Sequence, residues 1–297
     1  MSNKNRLESI VDGLDKLAIP NIDFEKYYKS HDSDNNKVKR VIDFYDDMEN
    51  FVENGHIVIG AKLPFPSTHD NFRFRDGEVT LWTGYNGHKK SMVLGFVANE
   101  FLAQEQKVCI ASFEMKPIST IERMARQHTK AATADYNVFA DYLGFAKDNL
   151  FLFDQQGGLT PDRLLGVIYY CAEQLGVKHF VIDSLMRVVA GEDKYNEQKD
   201  FVVKLCEVAI KTNIHIHLVH HTKKGKENEP SGRYDAKGSG AISDNVHNSL
   251  IVWSNKDKQL NLPDVILKCD KQRQGAWEGN IALDFSSSDM TFTEAYA

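Results

Sequence analysis

From Gly84 to Ser91 the chain reads G-Y-N-G-H-K-K-S. Its template is G-x-x-x-x-G-K-[ST], the loop that cradles phosphate groups between a strand and a helix. Small residues such as Gly84 and Gly87, with Asn86 and His88 beside them, let backbone N–H groups curl around phosphate oxygens, and the following helix N-terminus adds a positive dipole end. Lys90 would reach the β- and γ-phosphates of a nucleoside triphosphate, and Ser91 would ligate Mg²⁺. One position departs: Lys89 stands where the template has its second glycine. That site is expected to need a backbone conformation or a clearance that glycine meets most easily. A side chain at positive φ costs ~1–2 kcal/mol, and a lysine stem would crowd the nucleotide. These residues alone leave three readings open: weaker binding, a defective site, or an accidental match.

Four further features follow in order. Glu114, in ASFEM, sits just past an apolar run, where it would polarise an attacking water; a solvated glutamate at a strand end reads the same way. Asp183 ends the run HFVID, the pattern of a carboxylate that helps hold Mg²⁺. The run HIHLV ends at His220 and His221, and an imidazole there would touch a γ-phosphate; no further Cys or His lies at metal-ligand spacing. A polar, glycine-containing loop follows with Lys223, Lys224, Lys226, Arg233, Lys237, Gly238 and Ser239. Its excess of positive charge suits either a solvated loop or one that tracks a phosphodiester backbone. Last, in KQRQG, Lys271 and Arg273 alternate along a strand and share a face, with Gln272 on the other. They form either a solvent-facing edge or charge supplied to a neighbouring subunit's phosphate.

Positioning these residues needs strands that end at them. Short apolar runs at 79–83, 108–112, 150–153, 179–182 and 214–219 alternate with helical patterns near 90–104, 117–129, 160–176 and 195–212. That alternation predicts an α/β fold, a mostly parallel sheet flanked by helices. Runs at 249–253, 264–269 and 280–284, joined by short turns, predict an antiparallel finish. Ahead of the sheet, Val38, Val41, Ile42, Tyr45, Met48, Phe51 and Val52 recur at helical steps before Gly55. This amphipathic arm packs on its own core or on a neighbouring copy. The first ~35 residues read as a mobile polar stretch. The expected division is an arm at 1–56 and the α/β domain at 57–297.

A net charge of −6 excludes a uniformly basic nucleic-acid coat, so any such contact must be local. No apolar run approaches the ~20 residues of a membrane helix, and MSNKNRLESI lacks a signal-peptide core. A cytoplasmic protein without a membrane partner is expected. The four cysteines are far apart, as expected for reduced thiols.

GEVTLWTGYNGHKKS, ASFEM with ERMARQ, FVIDSL, LVHHTKKG with DAKGSGAISD, and KQRQGAWEG together resemble the RecA-like motor of DnaB-type replicative ring helicases. The resemblance is closest to the helicase half of phage primase–helicases and to the mitochondrial replicative helicase. It runs from about Arg40 to the end. It implies a hexameric ring that hydrolyses ATP or another NTP with Mg²⁺ while moving on single-stranded DNA in replication. For a phage protein, the setting would be the host cytoplasm. It implies that Lys90 and Ser91 bind phosphate and Mg²⁺, Glu114 acts on the water, Asp183 supports the metal, and His221 senses the γ-phosphate. Lys271 and Arg273 would act in trans, the 223–239 region would line the channel, and the arm helix would dock on the next subunit. With no primase module in this chain, a separate primase or polymerase would be the partner. The Lys89 departure keeps an alternative: a nucleotide-defective DNA-binding ring or regulator. A recombination-type RecA-like filament ATPase fits the last two motifs less well.

Overall fold

The computed structural model describes residues 22–31, 40–53, 59–155, 159–189, 191, 194–222, 240–257 and 262–295. Nine strands are found among them: β1 Val79–Thr83, β2 Val108–Ser112, β3 Leu150–Leu152, β4 His179–Asp183, β5 His215–Val219, β6 Asn248–Ser254, β7 Val265–Gln272, β8 Gly279–Phe285 and β9 Phe292–Glu294. They form one sheet in the order β3-β2-β4-β5-β1-β6-β7-β8-β9. β1 lies between β5 and β6, parallel to both, with Leu81 opposite Leu218 on one side and Ser249 on the other. The expected parallel sheet with an antiparallel finish is therefore present, and the switch falls at β7, one strand later than the run at 249–253 suggested.

The helices are α1 Phe24–His31, α2 Tyr45–Glu53, α3 Lys90–Ala103, α4 Pro117–Thr129, α5 Tyr136–Ala146, α6 Pro161–Leu175, α7 Leu185–Val188, α8 Tyr195–Thr212 and α9 Gly240–Asn245. Their limits follow local chemistry. Thr160 accepts from Arg163 N and Pro161 opens α6, which Gly176 ends in the left-handed conformation. Asp135 accepts from Asn137 N and Val138 N to start α5, a helix absent from the strand–helix alternation expected above.

Alternation along β1 supplies both cores. Trp82 joins Val97, Phe101 and Met124 of α3 and α4 on one face, while Leu81 joins Ile168, Leu205 and Ile216 on the other. Because all five residues of β1 are buried, the phosphate loop starts from a strand packed on both faces.

The N-terminal part departs from expectation. Within the stretch expected to be mobile, α1 packs on α6, with Phe24 and Tyr27 edge-on to Tyr170 and Tyr28 beside Tyr169, while residues 1–21 and 32–35 lie outside the described residues. Gly166 makes this seat possible, since a Cβ there would lie 1.9 Å from the Phe24 carbonyl oxygen. The expected arm helix begins with a 3₁₀ turn at Val41–Phe44 and continues as α2. Val41, Ile42, Phe44, Tyr45, Met48 and Val52 are exposed on it. No helix among the described residues is long and apolar enough to cross a membrane.

Candidate nucleotide site

The C-terminal ends of β1, β2, β4 and β5 bring one cluster together, as the ends of parallel strands commonly do for ligands. The loop after β1 carries Gly84, Asn86, Gly87, His88, Lys89, Lys90 and Ser91. Gly84 and Gly87 take φ of 149° and 74°, and a Cβ at Gly84 would lie 2.2 Å from Val252 O. Glycine is thus required at Gly84 both by conformation and by space.

Lys89 does adopt the conformation expected of a glycine, φ 64° and ψ 17°. Its Nζ donates to Ser254 Oγ at the end of the neighbouring strand β6 at 3.2 Å and lies 4.8 Å from the Phe285 ring centroid at the end of β8. A cation–π contact of ~0.5–2 kcal/mol is comparable with the ~1–2 kcal/mol left-handed penalty, so the substitution is locally compensated.

Lys90 opens α3 and folds its ammonium onto the loop, donating to Gly84 O at 2.9 Å and Tyr85 O at 2.8 Å. Burial pushes its pKa down to about 8, against the pull of Asp183 and Glu114. Asp183, at the end of β4, is raised by burial, while its hydrogen bond with Ser91 acts in the opposite sense. Its Oδ1 is buried without a hydrogen-bond partner among the described residues. The Asp183–Ser184 peptide bond is cis.

Glu114 follows β2. Its Oε1 accepts from Ser184 Oγ at 2.9 Å and lies 3.5 Å from His221 Nε2. His221, and after it Ser184, hold the carboxyl down to about 2 against the opposing effect of burial. His220 is fully buried, with its backbone N–H donating to Trp82 O at 2.9 Å, and of the pair it is His221 whose ring meets Glu114.

Behind the carboxylates lies a cavity of about 30 Å³ lined by Ser91, Ser112, Met115, Thr120, Arg123 and Asp183, among others. That is room for about one water. Arg123, within ERMARQ, was not among the expected site residues; burial lowers the pKa of its guanidinium, and Asp183 acts to raise it. Also missed was Lys256, whose Nζ lies 3.8 Å from where a Gly87 Cβ would stand. Only spatial proximity reveals either residue, because neither falls in the template.

The structure does not bring Lys271 and Arg273 to this cluster. Lys271 Nζ donates to Ser243 O, Asp244 O and Val246 O, and Arg273 Nη2 to Asp244 O. Both share a face, as expected, while Gln272 bonds Asn71 O and Trp277 O instead. Arg273 N bonds His247 O, and His247 N bonds Val79 O, which fixes the pair at the start of β1. The phosphate loop begins at the other end of that strand, roughly 15 Å away at ~3.3 Å per residue. Lys223, Lys224, Lys226, Arg233, Lys237, Gly238 and Ser239 lie outside the described residues. No group of three or more His, Cys, Asp or Glu among the described residues could hold a metal by protein ligands alone.

The residues present fit a Mg²⁺–nucleoside triphosphate. Two positive-φ glycines shape the loop, a hydroxyl and a lysine open a 14-residue helix, and a buried carboxylate oxygen lacks a partner among the described residues.

The sequence profile of a family described as AAA domain matches residues 70–227. Among solved structures, one described as an ATPase domain matches with a TM-score of 0.74 at 14% identity, over 87% of this chain and 100% of that one. A DnaB-like replicative helicase, described with its interactions with primase, matches with a TM-score of 0.71 at 13% identity, over 98% of this chain and 75% of that one. The fold expected from the motif order is the fold found, the one these two solved structures share.

Proposed function

This chain belongs to the AAA domain family, and from that premise we propose that it is the motor of a replicative ring helicase, hydrolysing ATP or another NTP with Mg²⁺ to move along single-stranded DNA. The observation that carries the reading is the convergence of Lys90, Ser91, Glu114, Asp183 and His221 at neighbouring strand ends, with Asp183 Oδ1 buried and unpartnered among the described residues.

The Mg²⁺-bound triphosphate would supply the scissile phosphoryl group and a cation that neutralises developing charge. Lys90 would release Gly84 O and Tyr85 O and bond phosphate oxygens. Ser91 and Asp183 would hold the metal. Glu114, with a pKa of about 2, is a weak proton acceptor, so its part is to orient and polarise water. His221 stands two residues before the basic segment 223–239, so a change at His221 would be relayed to the residues proposed to contact DNA.

Lys271 and Arg273 lie too far from their own phosphate loop to serve it. Both would reach a neighbouring subunit's nucleotide after releasing the α9 carbonyls. The arm, 1–56, would join copies of the motor, 57–297, into a hexamer. Its exposed apolar residues support this. So does an open groove of about 300 Å³ lined by Ile121, Phe139, Leu143, Ala146 and Leu152. A separate primase or polymerase and a cytoplasmic setting complete the proposal.

The test is steady-state ATP hydrolysis with and without single-stranded DNA. The protein is expected to be stimulated by DNA. Glu114→Gln should lose hydrolysis by about 10²–10⁴-fold while still binding Mg²⁺–ATP. A protein that neither binds nor hydrolyses any NTP, with or without DNA, would overturn the reading in favour of a nucleotide-defective DNA-binding ring.

A further inference from the structure

The phosphate loop is fastened to the antiparallel side of the sheet at successive points. Gly84 is pressed against Val252 O of β6. Ser254 N, at the end of β6, donates to His88 Nδ1 at 3.0 Å. Lys89 then reaches the same Ser254 through its hydroxyl, and covers Phe285 at the end of β8. These two anchors are themselves joined: Ser254 Oγ donates to Asp264 O at 3.4 Å, and Phe285 N donates to Asp264 Oδ2 at 3.1 Å.

We propose that Lys89 is a positioning residue, a latch that ties the phosphate loop to β6 and β8 before nucleotide arrives, and not a phosphate ligand. The inference rests on the nucleotide site proposed above. Its physical basis is that a strained left-handed residue persists where its surroundings over-determine it. Here the surroundings are a hydroxyl and an aromatic ring that hold the ammonium away from the loop. A glycine would meet the backbone requirement at no cost but would leave the loop untied. The lysine gives up some backbone ease for a loop already shaped when the ligand binds, which reduces the ordering needed at that moment.

The test uses the full chain without nucleotide. Backbone hydrogen exchange at residues 85–91 is measured for the parent and for Lys89→Ala, Lys89→Gly, Phe285→Leu and the Lys89→Ala/Phe285→Leu pair. Binding of Mg²⁺–ATP is titrated in parallel. Lys89→Ala and Phe285→Leu should each speed exchange, Lys89→Ala by about tenfold, and the double variant should exceed Lys89→Ala only marginally, because both remove one contact. Lys89→Gly should also exchange fast, which separates the lost tie from backbone strain, and Mg²⁺–ATP affinity should fall severalfold in step. Unchanged exchange in Lys89→Ala, or effects that multiply in the double variant, would overturn the latch. So would a Lys89→Ala protein that loses Mg²⁺–ATP as completely as Lys90→Ala does while its loop exchanges at the parent rate, since that marks a direct phosphate ligand. If even the parent binds no NTP, the proposed function fails, and the exchange comparison still decides the latch.

Discussion

Glu114 Oε1 lies 3.5 Å from His221 Nε2, so the carboxylate after β2 and the imidazole after β5 meet across the end of β4. His221 is the largest influence holding the Glu114 carboxyl down to about 2. Replacing it should return the carboxyl toward the ordinary glutamate range, ~4.3. The acid limb of the pH–rate profile for hydrolysis is therefore expected at higher pH in His221→Gln than in the parent. Coincident acid limbs would mean that this contact does not tune Glu114.

Lys90 should make nucleotide binding pH-dependent. Its pKa is pushed down to about 8 by burial, and phosphate favours the charged form. Mg²⁺–ATP affinity should thus fall as pH rises from 7 to 9, with proton uptake on binding near pH 8. Calorimetry in buffers of different ionisation enthalpy measures that uptake. Binding without proton uptake at pH 8 contradicts the assignment. For folding the sign is opposite to that of a paired lysine. Between about 8 and the unfolded value near 10.5, the unfolded chain holds more protons, so this group favours folding more as pH rises through that window.

Three buried histidines set an acid limit on stability. Trp82 Nε1–H donates to His217 Nδ1 at 3.2 Å, so His217 carries its proton on Nε2 and donates to His179 Nδ1 at 3.1 Å. His215 donates from Nδ1 to Arg75 O at 2.6 Å and accepts from Thr80 on Nε2 at 2.8 Å. Each free nitrogen faces a donor, so a further proton breaks a hydrogen bond inside the core. Burial holds all three pKa values below the ordinary value, His215 at about 3. The unfolded chain protonates first, near 6.5, and stability is lost as pH falls below that. At pH 5 His215 should cost about 2 kcal/mol relative to pH 7.5, and His179 and His217 act in the same direction. Urea midpoints between pH 7.5 and 5 check this, and a flat profile would contradict it.

Gly166→Ala separates helix propensity from packing. Alanine alone favours a helix by ~1 kcal/mol over glycine, but here its Cβ would meet the Phe24 carbonyl at 1.9 Å. The variant is expected to expel α1 from α6 and to expose the Phe24–His31 segment to limited proteolysis. A segment as protected as in the parent, with a higher melting temperature, would show that α1 does not approach position 166 this closely.

The exposed face of the arm should govern assembly. Val41→Asp with Val52→Asp places charges on residues that are 78% and 76% exposed, so the fold of the monomer should be unaffected. Light scattering is expected to show a ring for the parent and smaller species for the variant. Equal masses would remove the arm from the interface.

Much of this protein is determined by local sequence. Strand runs such as Val79–Thr83 and Val108–Ser112, and helices at 117–129 and 195–212, could be read directly because hydrophobic period and caps act over a few residues. The phosphate loop could be read as well, since its demands for a small residue and a following helix are local, and Lys89 could be recognised as the residue in a glycine's conformation. What lay beyond the sequence was where side chains separated by long stretches of chain would meet. Nothing near Lys89 in sequence points to Ser254 or Phe285. Glu114 meets His221, and His179 meets His217, only because β2, β4 and β5 are neighbours in the sheet. Lys271 and Arg273 alternate as expected, but the strand order and the direction of β7 put them at the far end of β1 from the phosphate loop. Pairing and register are settled by burial on both faces of the whole sheet, a sum over distant residues that no local window contains.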